Sequence, residues 1–462
     1  MKFFLTTLIT FYCAIICYGQ NNNEFNCFSI VAGKNATADG SVLVAHNEDD
    51  SGEQMLNVYI TKSEPQNNIA KYLWVEFPGM KVADSFLNEY GVAITSDNCP
   101  SKEDKPELTN GGVLYELRVN AAKYAHSAKE AVKIMGALID KYGYNGSGRS
   151  YMLADSNEGW ILSAVNGKHW VAARIPDDHV MIIPNNYVID KVNLADTANY
   201  AGSPDIIEYA IKRGWYNPQK DGEFSFKKAY GNPSKYTSNR NVIRHLSAIQ
   251  YFTGNKYNAN PDTFEFSVKP KSKVTLQDMI NVLSSHGENT IFADSIANAS
   301  KERHPLCICV NTTVMSAIFQ LRGNMPKEIG SVMWLAHHHP CATAYIPWYL
   351  GMTSQPQGFA RFNSYKEAID KHFTDTKDKR KNYPDAICWK FIDRFEQIDG
   401  NYHNNIKPVS ILNKKFQKKL FKGQRKFEKS LKKFDINSTN FKNELNSYTK
   451  EIYDNYFNFI LK

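Results

Sequence analysis

The apolar positions of this chain fall into one long run at the start and many short blocks afterwards. Lys2 precedes an apolar run over residues 3–16, and Cys17-Tyr18-Gly19 follows with small residues at its outer two positions. That is the build of an export signal cut after Gly19, and the run is short for a membrane span. Ile16 is too bulky just before Cys17 for a lipoprotein site. No later stretch has eighteen uninterrupted apolar residues, so no stable membrane span is expected. Segments 28–32, 41–46, 72–76, 91–95, 151–155, 159–165, 170–174 and 180–183 read as strands, several with Gly-bearing turns around them. Segments 112–125 and 129–142 carry helical spacing, and 275–284 opens with Thr275 and Asp278, a capping pair ahead of an apolar run. Segments 307–310 and 314–321 read as strands again. Runs of strands and runs of helices predict an α+β layered domain rather than a doubly wound sheet. There is no internal repeat and no long Gly/Ser- or Pro-rich linker.

Charge changes the picture only at the end of the chain. The net charge is +8, yet residues 414–433 hold ten Lys/Arg against one Glu, which leaves the rest near neutral. Phe416, Leu420, Phe427, Leu431 and Phe434 recur there at roughly helical spacing. This predicts an amphipathic helix docked on the body with a solvated basic face. A nucleic-acid or membrane-surface partner is the weaker reading, and none is assigned. With 42% hydrophobic and 22% charged residues, the chain reads as globular rather than disordered. Its 462 residues allow one large domain or two, and self-association is left open.

Six cysteines remain after a cut at Gly19: Cys27, Cys99, Cys307, Cys309, Cys341 and Cys388. That is too few for a disulfide framework in a chain of this size. Cys307 and Cys309, taken as one strand, point to the same face and are poorly placed to pair with each other. Cys27 has a special position. Only the polar spacer 20–26 separates it from the signal. If the spacer is cut after Asn26, Cys27 becomes the first residue, with its α-amine beside its sulfur. An α-amine has a pKa of about 7.7–8.0 and accepts a proton near neutral pH, so one residue supplies both nucleophile and base. A cysteine at the start of a strand is otherwise a small buried apolar residue.

The stretch from Cys27-Phe28-Ser29-Ile30-Val31-Ala32-Gly33 through Asp39-Gly40-Ser41 to His46-Asn47-Glu48-Asp49 resembles the start of the dipeptidase A/secernin family of N-terminal-nucleophile hydrolases. Further pieces follow in the family's order: Asn88-Glu89-Tyr90-Gly91-Val92-Ala93-Ile94, then Gly148-Arg149-Ser150-Tyr151 with Ala154-Asp155, then His169-Trp170-Val171-Ala172 with Arg174-Ile175-Pro176-Asp177-Asp178. The segment from Trp334 to Tyr349 resembles its closing strands. The resemblance covers about residues 27–351. It implies a four-layer αββα sandwich, activation by exposing an N-terminal cysteine, and short peptides as substrates, with no cofactor and no metal. The expected organisation is a signal at 1–19, a short propeptide at 20–26, a peptidase domain at 27–400 and a basic helical C-terminal extension at 401–462.

The resemblance also implies roles. Cys27 is the nucleophile. Asp49 matches the family's early carboxylate and would accept a hydrogen bond from the Cys27 amine or thiol. His46 stands where relatives have arginine, and would be a cation only while protonated. Asn185 matches the donor to the developing oxyanion, with Asn186 as its neighbouring alternative. Arg240 is taken as the late arginine near the nucleophile, with Arg244 as runner-up. His337, His338 and His339 fall in the closing segment, and adjacent residues of a strand point different ways, so they are not read as metal ligands. The expected activity is a secreted or periplasmic cysteine dipeptidase acting through a thioester. Its rivals are an amidase of the same fold acting on N-acyl amino acids, of the bile-salt or penicillin-V acylase type, and a secreted binding protein that has lost the chemistry.

Overall fold

The computed structural model describes residues 27–50, 52–287, 307–374 and 376–460. The leader and the spacer 20–26 lie outside the described residues. Two antiparallel sheets stack face to face. One has six strands: β1 (Phe28–Ala32), β2 (Val42–Asp49), β10 (Val180–Ile183), β12 (Thr313–Leu321), β13 (Ser331–His337) and β14 (Ile346–Tyr349), in the order β10-β1-β2-β12-β13-β14. The other has eight: β3 (Asn57–Ile60), β4 (Tyr72–Glu76), β5 (Ser85–Asn88), β6 (Ala93–Asn98), β7 (Tyr144–Ala154), β8 (Gly159–Gly167), β9 (Trp170–Ile175) and β11 (Tyr200–Gly202), in the order β11-β9-β8-β7-β6-β5-β4-β3. Strands buried on both faces read as nearly unbroken apolar runs. In β12, every residue is buried.

Helices α1 (Tyr115–Tyr124) and α2 (Ala128–Tyr142) cover the outer face of the eight-stranded sheet. The fit is close: a Cβ at Gly136 of α2 would lie 2.2 Å from the Trp170 ring, so only glycine lets α2 approach β9. Ser127 caps α2 by accepting from the Glu130 amide. Three short helices follow in chain order, α3 (Ile206–Lys212), α4 (Phe226–Tyr230) and α5 (Pro233–Tyr236), and then the longer α6 (Asn239–Thr253) and α7 (Leu276–Leu283). Helices α6 and α7 lie on the six-stranded sheet, against β10 and against β2 and β12. Thr275 and Asp278 form the capping box that starts α7, as their spacing predicts. The layers therefore run α, β, β, α.

The basic tail completes the outer layer. In the helix Tyr402–Leu431, Asn413, Phe416, Gln417, Leu420, Gln424, Glu428 and Leu431 are buried at mostly three- and four-residue intervals, and the eight Lys/Arg from Lys414 onward face solvent. Glu428, the one acid among them, turns inward to Arg322, with oxygens 2.7 and 2.9 Å from its guanidinium nitrogens. A last helix, Thr439–Ile460, packs on β14. No helix among the described residues is long and apolar enough to cross a membrane.

Segment 307–310 is not a strand. Its backbone is drawn aside before β12 begins: the Cys309 amide donates to Ser285, and the Ile308 carbonyl accepts from Asn47 Nδ2. Those groups are spent on the turn after α7 and on β2, so no ladder forms.

Candidate active site

Cys27 immediately precedes β1, at the end of the six-stranded sheet where β2 finishes. β1 and β2 pair with Phe28 opposite Asn47 and Ser29 opposite His46, which brings Cys27 level with Glu48. Side chains alternate along a strand, so Cys27 and Ser29 share one face with His46 and Glu48. That face meets the other sheet. The Cys27 thiol donates to Glu48 Oε1 at 3.0 Å. Glu48 Oε2 lies 3.1 Å from His46 Nε2. On the other side of the ring, His46 Nδ1 lies 3.1 Å from Asp97 Oδ1 of β6 and 2.9 Å from Ser29 Oγ, which itself donates to Asp97 at 2.9 Å. Thiol, carboxylate, imidazole and carboxylate thus form one chain through the sandwich.

Both ring nitrogens of His46 face carboxylates, so both are donors and the ring is an imidazolium. Burial alone would push its pKa down. The hydrogen bonds and charges of Asp97 and Glu48 outweigh that and raise it to about 9. At that value His46 is a cation at neutral pH, where an ordinary histidine would be one only part of the time. Asp97 is held above its ordinary range by burial, against the pull of His46 and Ser29. The Cys27 thiol is pushed well up by burial and then by Glu48, Asp97 and Asp49, with Arg149 opposing.

Asp49 does not receive the thiol's hydrogen bond. It lies on the opposite face of β2 from Glu48, because alternation sends residues 47 and 49 toward the helical layer. There Asp49 Oδ1 accepts from Thr313 Oγ1 at 2.6 Å. Its Oδ2 is buried without a hydrogen-bond partner among the described residues. Burial raises its pKa to about 7, against the charges of Arg244 and Arg240.

The arginine on the nucleophile is Arg244, not Arg240. The two sit one turn apart on α6, so they share a side of the helix. Arg244 is the deeper one, fully buried, and its Nη2 donates to the Cys27 carbonyl. The Arg244 guanidinium also donates to Asn185 Oδ1, at 3.1 and 3.2 Å. Arg240, half-buried, acts on this group through its charge on Asp49 and on Arg244. Burial first, and Arg240 second, bring the Arg244 pKa down to about 10, still cationic at neutral pH.

Asn185 follows β10 with φ of 69°, a left-handed position that asparagine tolerates. A guanidinium has no acceptor, so the atom facing Arg244 must be the amide oxygen. The nitrogen then points the other way, where one of its two protons goes to the Asn98 carbonyl at 3.0 Å. The second proton can be donated to a substrate oxygen. Asn186 is turned away, onto the Tyr187 carbonyl.

The structure thus brings Cys27, His46, Asp49, Asn185 and Arg244 together, with Arg240 at the rim. Glu48, Asp97 and Ser29 were missed. Glu48 lies inside the motif already quoted and could have been found from the period-two alternation from His46. Asp97 comes from the facing sheet, and no local pattern signals it. Of the three adjacent histidines only His337 turns away, its Nε2 pairing with the Tyr453 hydroxyl at 3.1 Å; His338, with φ of 67°, and His339, stacked on Phe395, meet Nδ1 to Nδ1 at 2.7 Å.

The sequence profile of peptidase family C69 matches residues 101–394, a span that takes in Asn185, Arg240 and Arg244 and begins after Cys27. Among curated proteins, the chain is 27% identical over 355 residues to a probable dipeptidase of Latilactobacillus sakei, covering 70% of this chain and 74% of that one. It is 26% identical over 373 residues to dipeptidase A of Lactobacillus helveticus, covering 73% and 77%. Among solved structures, penicillin V acylase of Agrobacterium tumefaciens aligns with 70% of this chain and 86% of its own, at 13% identity and a TM-score of 0.34.

Proposed function

This chain belongs to peptidase family C69 and is a peptidase, and we propose that it is an exported dipeptidase whose nucleophile is the Cys27 thiol, exposed by cleavage between Asn26 and Cys27. The observation that carries this reading is the setting of Cys27: its thiol sits on the Glu48–His46–Asp97 chain while Arg244 grips its carbonyl and Asn185 together. The apolar leader supports export, and the names of the relatives support dipeptides as substrates.

In the uncut chain the Cys27 nitrogen is an amide and cannot take a proton. The thiol is then held protonated by burial and by its acidic neighbours. Cleavage turns that amide into an α-amine at the end of β1. The unpaired Asp49 Oδ2 is the acceptor on offer for the resulting ammonium. The neutral amine takes the thiol proton, and the sulfur attacks the peptide carbonyl to form a C–S bond. The oxygen becomes an oxyanion, for which the second Asn185 Nδ2 proton is available; one such donor contributes on the order of 2.7–4 kcal/mol. As the C–N bond breaks, the ammonium gives its proton to the leaving amine. Water then attacks the thioester, losing its proton to the same amine, and the acid leaves with the thiol restored.

Mass spectrometry of active protein tests the reading. The expected first residue is Cys27, and Cys27→Ala should abolish turnover of dipeptides while the fold is retained. Full activity in protein that keeps any of residues 20–26, or wild-type rates in Cys27→Ala, would overturn it. A substrate panel on the same preparation should favour dipeptides. Faster release of fatty or aryl acids from N-acyl amino acids would assign the chain to the acylase alternative.

A further inference from the structure

Away from Cys27, the fold gathers three soft donors from distant stretches: His286 just after α7, Cys309 before β12, and Cys341 between β13 and β14. One ligand atom from each lies within 4.8 Å of the other two. Both cysteines are buried and His286 is half-buried. We propose that His286, Cys309 and Cys341 bind one zinc-type divalent cation.

The geometry is close to what such an ion needs. With Zn–S near ~2.3 Å and Zn–N near ~2.0 Å, tetrahedral ligands stand roughly 3.5–3.8 Å apart, so the three atoms need only a small inward shift. Two thiolates and an imidazole are soft and borderline donors, which select zinc over magnesium or calcium. Tyr402 reaches in from the first turn of the tail helix, 3.7 Å from Cys341 Sγ and 3.1 Å from His286 Nε2. It is placed to orient both ligands from outside the coordination sphere, as outer partners of metal sites do.

An entry path is present. His286 and Cys341 border a cavity of about 1180 Å³ between α6, α7 and the tail helix. Three protein ligands leave a fourth position, which a water from that cavity can fill. Bound there, the ion would tie the end of α7, the approach to β12 and the exit of β13 to one another, next to the root of the tail helix. The site stands independently of the reading of Cys27. Binding displaces the thiol protons into solvent, so affinity rises with pH. The competing use of the same atoms is a Cys309–Cys341 disulfide, which would leave His286 without a role.

The test is metal content and cobalt spectroscopy on the mature protein. Purified without chelator, it should hold about one zinc per chain. After chelation and loading with Co²⁺, it should show a thiolate-to-cobalt charge-transfer band. Cys309→Ser, Cys341→Ser and His286→Asn should each weaken binding by at least the ~10–100-fold that loss of an outer partner costs. His286 is half-buried and on a loop, so its variant reads the site even where a buried serine disturbs folding. Cys388→Ser, buried in another part of the core, should bind as the wild type does. Three results would overturn the proposal: a Cys309–Cys341 disulfide in the native protein by non-reducing peptide mapping, no cobalt band in the reduced wild type, or unchanged binding in His286→Asn.

Discussion

Cys27 and Glu48 are joined across the ends of β1 and β2 by a thiol-to-carboxylate hydrogen bond of 3.0 Å. The bond divides the acidic residues of the motif by face. Glu48, on the inner face, holds the sulfur and passes its other oxygen to His46. Asp49, on the outer face, meets Thr313 and the charges of α6. One strand therefore sends one carboxylate to the sulfur and the next to the helical layer.

Asp49→Asn should separate stability from activity. The Asp49 carboxyl is raised from an ordinary 3.8 to about 7 in the fold. The unfolded chain ionises near pH 4 while the folded one stays protonated until about 7, so wild-type stability falls as pH rises through that window and is level above it. An asparagine can still accept from Thr313 and has no charge to bury. In uncut Cys27→Ala protein, adding Asp49→Asn should leave stability equal to that of the parent near pH 4 and raise it at pH 8 by on the order of 1–4 kcal/mol. If the α-ammonium of the mature enzyme pairs with Asp49, as proposed, the same change should remove turnover and bring little gain. Denaturant melts at both pH values check this; equal stability at pH 4 and 8 in the uncut pair would rule out a strained carboxyl.

Arg244 and Arg240 should differ sharply. Arg244 holds two acceptors with one planar fork, the Cys27 carbonyl and Asn185 Oδ1. A lysine cannot span both. Arg244→Lys should therefore lower kcat by roughly 10²–10³, the size of losing an oxyanion donor, because Asn185 is no longer oriented. Arg240→Ala should cost less than about tenfold, since Arg244, not Arg240, holds the Cys27 carbonyl and Asn185. Steady-state kinetics on one dipeptide measure both. A larger loss at Arg240 than at Arg244 would reverse the assignment.

The sequence was most legible where a pattern is local. Strands β1, β4 and β10 fall where short apolar runs and turn residues place them, and the Thr275–Asp278 cap starts α7. The amphipathic tail helix is legible too, because its bases and its apolar residues separate at helical spacing. Segment 307–310 misled because a short apolar run does not reveal where its backbone hydrogen bonds go, and here they go to Ser285 and Asn47. Arg240 and Arg244 could not be told apart from a one-turn spacing, since depth along α6 is set by how the helix sits on β10. Asp97 is a matter of how two sheets stack, and that is settled only by the whole core.

His46 gives the last prediction, because its charge is now tied to particular partners. Buried between Glu48 and Asp97, the ring has a pKa raised to about 9 from the ordinary 6.5. Its folded value lies above its unfolded one, so its contribution to stability is complete below about pH 6.5 and is lost as pH rises through about 9. Activity should hold through neutral pH and fall toward about 9, not near 6.5. In His46→Gln the cation is gone while two carboxylates remain, so rates should drop at every pH by roughly 10²-fold or more and the melting temperature should fall. A guanidinium keeps its charge throughout. His46→Arg should retain activity and carry it above about pH 9, provided the larger side chain is accommodated, which a melting temperature within a few degrees of the parent would establish. If His46 served only as a neutral hydrogen-bonding spacer, glutamine would be tolerated and arginine harmful. The pH–rate profiles of both variants on one dipeptide distinguish the two, and an unchanged profile in His46→Gln would end the case for a working cation at this position.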